Sequence, residues 1–92
     1  MKNKSILPSY YKGKIKGIKA HEVIADYDLS YNIGTAVTYL LRAGKKPNNP
    51  MVQDIEKAIN HLQFELKKIK EQEQAELDIT NEKLFRNANY TY

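Results

Sequence analysis

Apolar residues recur along this chain in two rhythms, and both are helical. Ile33, Ala36, Val37, Leu40 and Leu41 follow the i, i+3, i+4, i+7, i+8 rule of a helix with one buried face. Ser30 stands ahead of them as an N-cap, and Gly44 follows as the left-handed C′ residue. Further on, Val52, Ile55, Ile59, Leu62, Leu66 and Ile69 repeat at 3, 4, 3, 4, 3, which is a heptad seam. Asn49 caps this third helix, Pro50 suits its first position, and the pattern runs to about Glu76.

The flanking segments carry weaker signals. A short first helix is predicted from Ile18 to about Tyr27, with Ile18, Val23 and Ile24 as its apolar contacts. Residues 1–17 read as extended, because Pro8 biases Leu7 away from helix and KGKIKG alternates between the breakers Gly13 and Gly17. As a strand this segment would set Lys12, Lys14 and Lys16 on one side. Beyond EQEQAELD, a last short helix is expected from Thr80 through Arg86, and NANYTY reads as a loose tail. The expected fold is all-α: a small helical domain with an extended basic N-terminal arm and a long heptad-patterned third helix. Residues 1–76 form the domain, and 77–92 a short C-terminal helix and tail.

Chain length changes how the seam is read. Ninety-two residues bury only a modest core, so a long heptad helix points to packing against a partner helix or another copy. Phe64 falls about 180° from the centre of the seam, so one apolar face does not cover both. A homo-oligomer assembled through the third helix is the expectation.

Composition removes several chemistries. With no cysteine there is no disulfide, zinc-thiolate or thiol nucleophile, and the chain fits a reducing cytoplasm. MKNKSILPSYYK lacks the apolar core of a signal peptide, and no apolar run is long enough to span a bilayer, so no membrane partner is expected. The net charge of +4 is unevenly spread: residues 1–50 hold nine Lys or Arg against three acids, and the remainder six against eight. A basic front half suggests an anionic partner, with a solvated lysine-rich surface as the plain alternative.

The polar side of the second helix is where such a partner would bind. With Ala36 at 0°, the apolar residues lie between about 0° and 140°, while Tyr31, Thr35, Thr38 and Arg42 lie between about 200° and 260°. Hydroxyls donate and accept, and Arg42 offers a planar fork suited to phosphate. Lys45 and Lys46 follow just past the helix end. Cations there complement the helix dipole in any case, but the hydroxyl row leading to them needs a further reason.

The order of Pro8, Tyr10-Tyr11, GIKAHEVI at 17–24, GTAVTYLLRAGKK at 34–46 and DIEKAINHL at 54–62 resembles a family of small tailed-phage proteins. That family is a domain of unknown function, with some members labelled as nucleotide kinases. The resemblance covers residues 8 to about 69, and Tyr11, Gly17, Gly34, Tyr39, Arg42, Gly44, Lys45, Asp54, Lys57 and Ala58 agree with its pattern. Tyr10 stands where the family usually has histidine, Thr35 where it has asparagine, and Thr38 where it has lysine. Losing that lysine weakens any inherited phosphoryl-transfer chemistry. The resemblance implies a setting in the host cell cytoplasm.

No complete catalytic signature is present. Neither GKIKGIK nor RAGKKP satisfies G-x-x-x-x-G-K-[ST], so the P-loop is missing. Asp54, Lys57, His61 and Glu65 share a flank of the third helix, but such a row reads first as a solvated face with i, i+3 and i+4 pairs. His21 and Glu22 are unspecific, and the acids of EQEQAELD lack a second cluster to complete a metal site. No cofactor, metal or catalytic residue is assigned, and enzymatic activity is left open with the balance against it. The expected function is a phage-encoded oligomer that binds and sequesters a nucleotide or nucleotide-derived signal, an immune-evasion sponge. Its ligand-binding set is Tyr10, Tyr11, Tyr31, Thr35, Thr38, Tyr39, Arg42, Lys45 and Lys46. In it Tyr10 or Tyr11 stacks on a base, Thr35 and Thr38 bond sugar or phosphate oxygens, and the cations neutralise phosphate. The alternatives are a nucleoside monophosphate kinase, or a nucleic-acid or host-protein interaction module using basic residues interleaved with tyrosines.

Overall fold

The computed structural model describes residues 7–90, with side chains described through Arg86. A 3₁₀ turn over Ser9–Tyr11 is followed by three helices: α1 (Ala20–Asp26), α2 (Tyr31–Arg42) and α3 (Met51–Tyr90). The fold is all-α, as the periodicity predicts. α2 and α3 form an antiparallel hairpin, while α1 and the 3₁₀ turn pack on α2.

The predicted ends of α2 are found, the C-terminal one for the predicted reason. Ser30 precedes its first turn in extended conformation, although its hydroxyl makes no capping bond. Gly44 has φ +77°, a left-handed backbone that a side chain would strain, and Lys45 N–H donates to Arg42 O at 2.8 Å. At Gly34 the requirement is space, since a Cβ there would lie 2.9 Å from Ile24 Cγ2. Glycine therefore sets how closely α1 approaches α2.

Three expectations are corrected. Residues 8–19 are not an extended arm: the chain folds back on itself, with Lys12 bridging Lys19, Gly13 N–H donating to Ile18 O at 2.7 Å, and Gly17 N–H to Gly13 O at 3.0 Å. The two glycines make a turn, so Lys12, Lys14 and Lys16 no longer share a strand face. Lys2 and Lys4 of the expected arm lie outside the described residues, as do Thr91 and Tyr92 of the expected tail. Second, no break precedes Thr80, because α3 is continuous for 40 residues. The span from Met51 to Tyr90 holds no proline or glycine, and Gln74–Asp78, Thr80–Glu76 and Arg86–Glu82 link successive turns.

The third correction concerns which side of α3 packs. The flank read as solvated is the one buried: Asp54 is 0% exposed, Ala58 1% and Glu65 8%. The heptad seam instead lies open, from Ile69 at 38% to Val52 at 65%. Phe64 is 59% exposed, with its ring edge against His61. Among the described residues the only buried apolar side chains are alanines, Ala20, Ala36 and Ala58. The radius of gyration of 21.2 Å far exceeds the roughly 12 Å of a compact domain of this length.

Candidate functional site

The contact between α2 and α3 is polar, built from short spacings on both helices. Asn32, Ala36, Tyr39 and Arg42 come from α2, and Asp54, Lys57, Ala58, His61 and Glu65 from α3. Arg42 Nε and Nη2 donate to Asp54 Oδ1 at 3.3 and 3.1 Å, and Nη1 donates to the Tyr11 hydroxyl at 2.8 Å. One guanidinium therefore ties the N-terminal turn, α2 and α3 together. Its ring neighbours are Tyr39, with the guanidinium carbon 4.7 Å from the ring centroid, and Tyr11 at 5.9 Å.

Burial alone would lower the pKa of Arg42, but the hydrogen bonds to Asp54 and Tyr11 and their charges outweigh it, and the net shift is upward. Arg42 stays a cation and Asp54 is its counter-ion. Asp54 Oδ2 accepts no hydrogen bond among the described residues, so the carboxylate is held through one oxygen. On the next turn His61 stacks on Tyr39 at 5.9 Å, and its Nδ1 lies 3.0 Å from Asn32 Oδ1, which requires the Nδ1–H form. Asn32 Nδ2 in turn donates to Glu65 Oε1 at 3.5 Å.

Beside this contact an open cleft of about 340 Å³ runs along the predicted polar stripe of α2. Tyr31, Thr35, Thr38 and Arg42 all line it, joined by Tyr11, Tyr39 and the apolar Ile24 and Leu29. The two threonines present a defined polarity. Thr35 Oγ1 donates to Tyr31 O at 2.6 Å and Thr38 Oγ1 to Gly34 O at 3.0 Å, so both hydroxyl protons are used within the helix. The oxygens turn lone pairs outward, and they accept from N–H or O–H donors rather than donate to phosphate.

The structure does not bring the whole predicted set together. Tyr10 is absent from the cleft lining; it packs on Tyr11 at 4.7 Å, with Lys46 Nζ 6.0 Å from its ring. Lys45 Nζ donates to Leu41 O at 2.8 Å, the helix-end role that its position allows without any ligand. Arg42 is no freely offered fork, since three of the five N–H groups a guanidinium carries are engaged by Asp54 and Tyr11. Sequence reasoning passed over Asn32 and His61 as site residues and read Asp54 as solvated. The signal was there: opposite charges at Arg42 and Asp54 face each other across a short loop, with Ala36 and Ala58 on the same flanks. Tyr11, Tyr39 and Asp54 meet around the Arg42 guanidinium, and Lys57 Nζ lies 5.5 Å from the Tyr39 ring on the same contact.

Among the described residues no three His, Cys, Asp or Glu side chains group as metal ligands, and no helix is long and apolar enough to cross a membrane. Comparison with known proteins identifies no relative, as no family model, curated protein or solved structure matches the chain.

Proposed function

We propose that the cleft along α2 binds a nucleotide-type small molecule and holds it without turnover. The observation that carries this reading is the convergence, on one cleft, of the exposed ring of Tyr31, two outward-facing acceptor oxygens on Thr35 and Thr38, and the buried cation Arg42. Tyr31 is the stacking platform, being 78% exposed with His61 edge-on to it at 6.0 Å, whereas Tyr39 is already flanked by Arg42 and Lys57 and stacked on His61. The threonine oxygens read the N–H edge of a base or a sugar hydroxyl. The two N–H groups of Arg42 beyond those given to Asp54 and Tyr11 meet an anionic oxygen.

Sequestration is favoured over catalysis because the carboxylate nearest the cation, Asp54, is committed to Arg42 and is fully buried. The sequence also lacks a phosphate-cradling P-loop. The resemblance to tailed-phage proteins supplies the setting, in which a small oligomeric binder removes a host nucleotide signal in the cytoplasm.

The test is calorimetry against a panel of nucleosides, nucleotides and cyclic or linked dinucleotides, followed by chromatography of the ligand after incubation with ATP and Mg²⁺. Binding with the ligand recovered unchanged is expected. Tyr31→Ala should weaken it by about tenfold or more while leaving the helical signal intact, as loss of one stacking platform does. Nucleoside diphosphate accumulating in proportion to protein would establish a kinase instead. Absence of binding across the panel would remove the proposal.

A further inference from the structure

The heptad seam of α3, which the fold leaves open, and the strip of Ile33, Val37 and Leu40 on α2 form one surface, and we infer that it is a two-fold interface with a second copy of this chain, α3 lying antiparallel against α3. On α2 the side facing α3 carries Asn32, Ala36 and Tyr39, and Ile33, Val37 and Leu40 lie about 100° further round. On α3 the side facing α2 carries Asp54, Ala58, His61 and Glu65, and the heptad seam lies about 100° further round in the same sense. The helices are antiparallel, so equal rotations about opposed axes carry both apolar strips to the same side of the hairpin. This is half of a four-helix bundle.

The pattern is self-complementary. A spacing of 3, 4, 3, 4, 3 reads the same in both chain directions, so an antiparallel copy aligns Val52 with Ile69, Ile55 with Leu66, and Ile59 with Leu62. The dyad then falls level with residues 60 and 61. The contacts Asn32–His61, Tyr39–His61 and Arg42–Asp54 put that level near residue 36 of α2. The α2 strip, from Ile33 to Leu40, is centred within about one residue of the same level. Two strips on different helices thus share one two-fold axis, which a surface shaped for an unrelated partner has no reason to do.

Charge and exposure agree with this occupant. Glu73 continues the seam past Ile69, and a parallel in-register copy would set it against its own twin, whereas the antiparallel copy places it beyond the partner's seam. Glu56 and Lys70 lie on the outer flank at opposite ends, so reversal brings each toward the opposite charge. All six seam residues are open, from Ile69 at 38% to Val52 at 65%, and Leu40 beside them is 51% exposed, a contiguous apolar strip of the kind that marks an interaction surface.

Sedimentation at tens of micromolar should give about twice the 10.7 kDa chain mass. The variant Ile59→Glu/Leu62→Glu changes two half-exposed side chains, and it should halve that mass while keeping the helical signal. Orientation is read from the naturally cysteine-free chain by introducing Val52→Cys in one preparation and Ile69→Cys in another. Oxidising the mixture should join Val52→Cys to Ile69→Cys, with little self-joining of either variant alone. A monomeric parent protein, or efficient self-joining of Val52→Cys, would overturn the inference.

Discussion

Removing the Arg42 side chain tests what the α2–α3 contact depends on. At 3.1 Å, opposite unit charges attract by about 5 kcal/mol in an effective dielectric of about 20, and burial of Asp54 offsets much of that gain in the intact pair. Arg42→Ala leaves the desolvation of Asp54 in place and deletes its counter-ion, together with the bond to Tyr11 and the contact with Tyr39. The expected loss is about 3–5 kcal/mol, a large share of the roughly 5–15 kcal/mol that holds a domain folded. Urea unfolding followed by tyrosine fluorescence reports on the packed half, which contains Tyr11 and Tyr39, and protein concentration must be held fixed if the chain self-associates. With a slope of about 1–3 kcal/mol per molar urea, the midpoint should fall by at least about 1 M. The double variant Arg42→Leu/Asp54→Leu removes both charges and should recover most of the loss. A single variant within about 1 kcal/mol of the parent, or a double variant less stable than Arg42→Ala, would refute the assignment of this pair as the tie between the helices.

Gly34→Val should separate α1 from α2 and cost about 1–3 kcal/mol in a thermal melt, whereas Gly34→Ala should cost less because the crowded atom is a methyl of Ile24. Glu22 is held below its usual carboxylate value mainly by the Lys19 N–H, which donates to it at 2.8 Å, with burial opposing and the charges of Lys19 and His21 adding. A lowered folded value means that this cap's contribution is complete above the unfolded value of 4.5 and is lost as pH falls through the folded one. A carboxyl titration of Glu22 by NMR should show the depression, and disrupting the cap should abolish it. Ending the chain after Lys70 should leave the tyrosine-detected urea midpoint unchanged and reduce helical circular dichroism roughly in proportion to the residues removed.

Periodicity located α2 and the start of α3, helped by Gly44 and Pro50, whose preferences act through backbone geometry that tertiary context leaves untouched. The burial of the Asp54 flank of α3 escaped it for a physical reason. A hydrophobic stripe shows which face avoids water, not which neighbour covers it, and here the neighbour within the chain meets the flank of Asp54, Ala58 and His61. The stripe of Tyr31, Thr35, Thr38 and Arg42 was legible as a row, since it follows from helix geometry. That Arg42 would be occupied was not, because its partner lies across a loop whose path no local pattern fixes. The N-terminal segment failed differently: alternation with two glycines fits a strand or a turn equally well, and the bonds between Gly13, Gly17 and Ile18 choose the turn.

The length of α3 has a consequence for how its end behaves in water. Beyond Glu65 the described side-chain bonds of α3 are with α3 itself, so about the last twenty residues extend a helix whose first turns are fixed elsewhere. An isolated peptide of that length would have to nucleate, an event with a statistical weight of about 10⁻³. Here the packed turns act as a standing nucleus, and only the favourable propagation steps remain. The end of the helix should therefore have no melting point of its own. Amide protection should decline smoothly from Lys70 toward Arg86, and warming should shorten the helix turn by turn from its far end while Tyr11 and Tyr39 still report an intact fold.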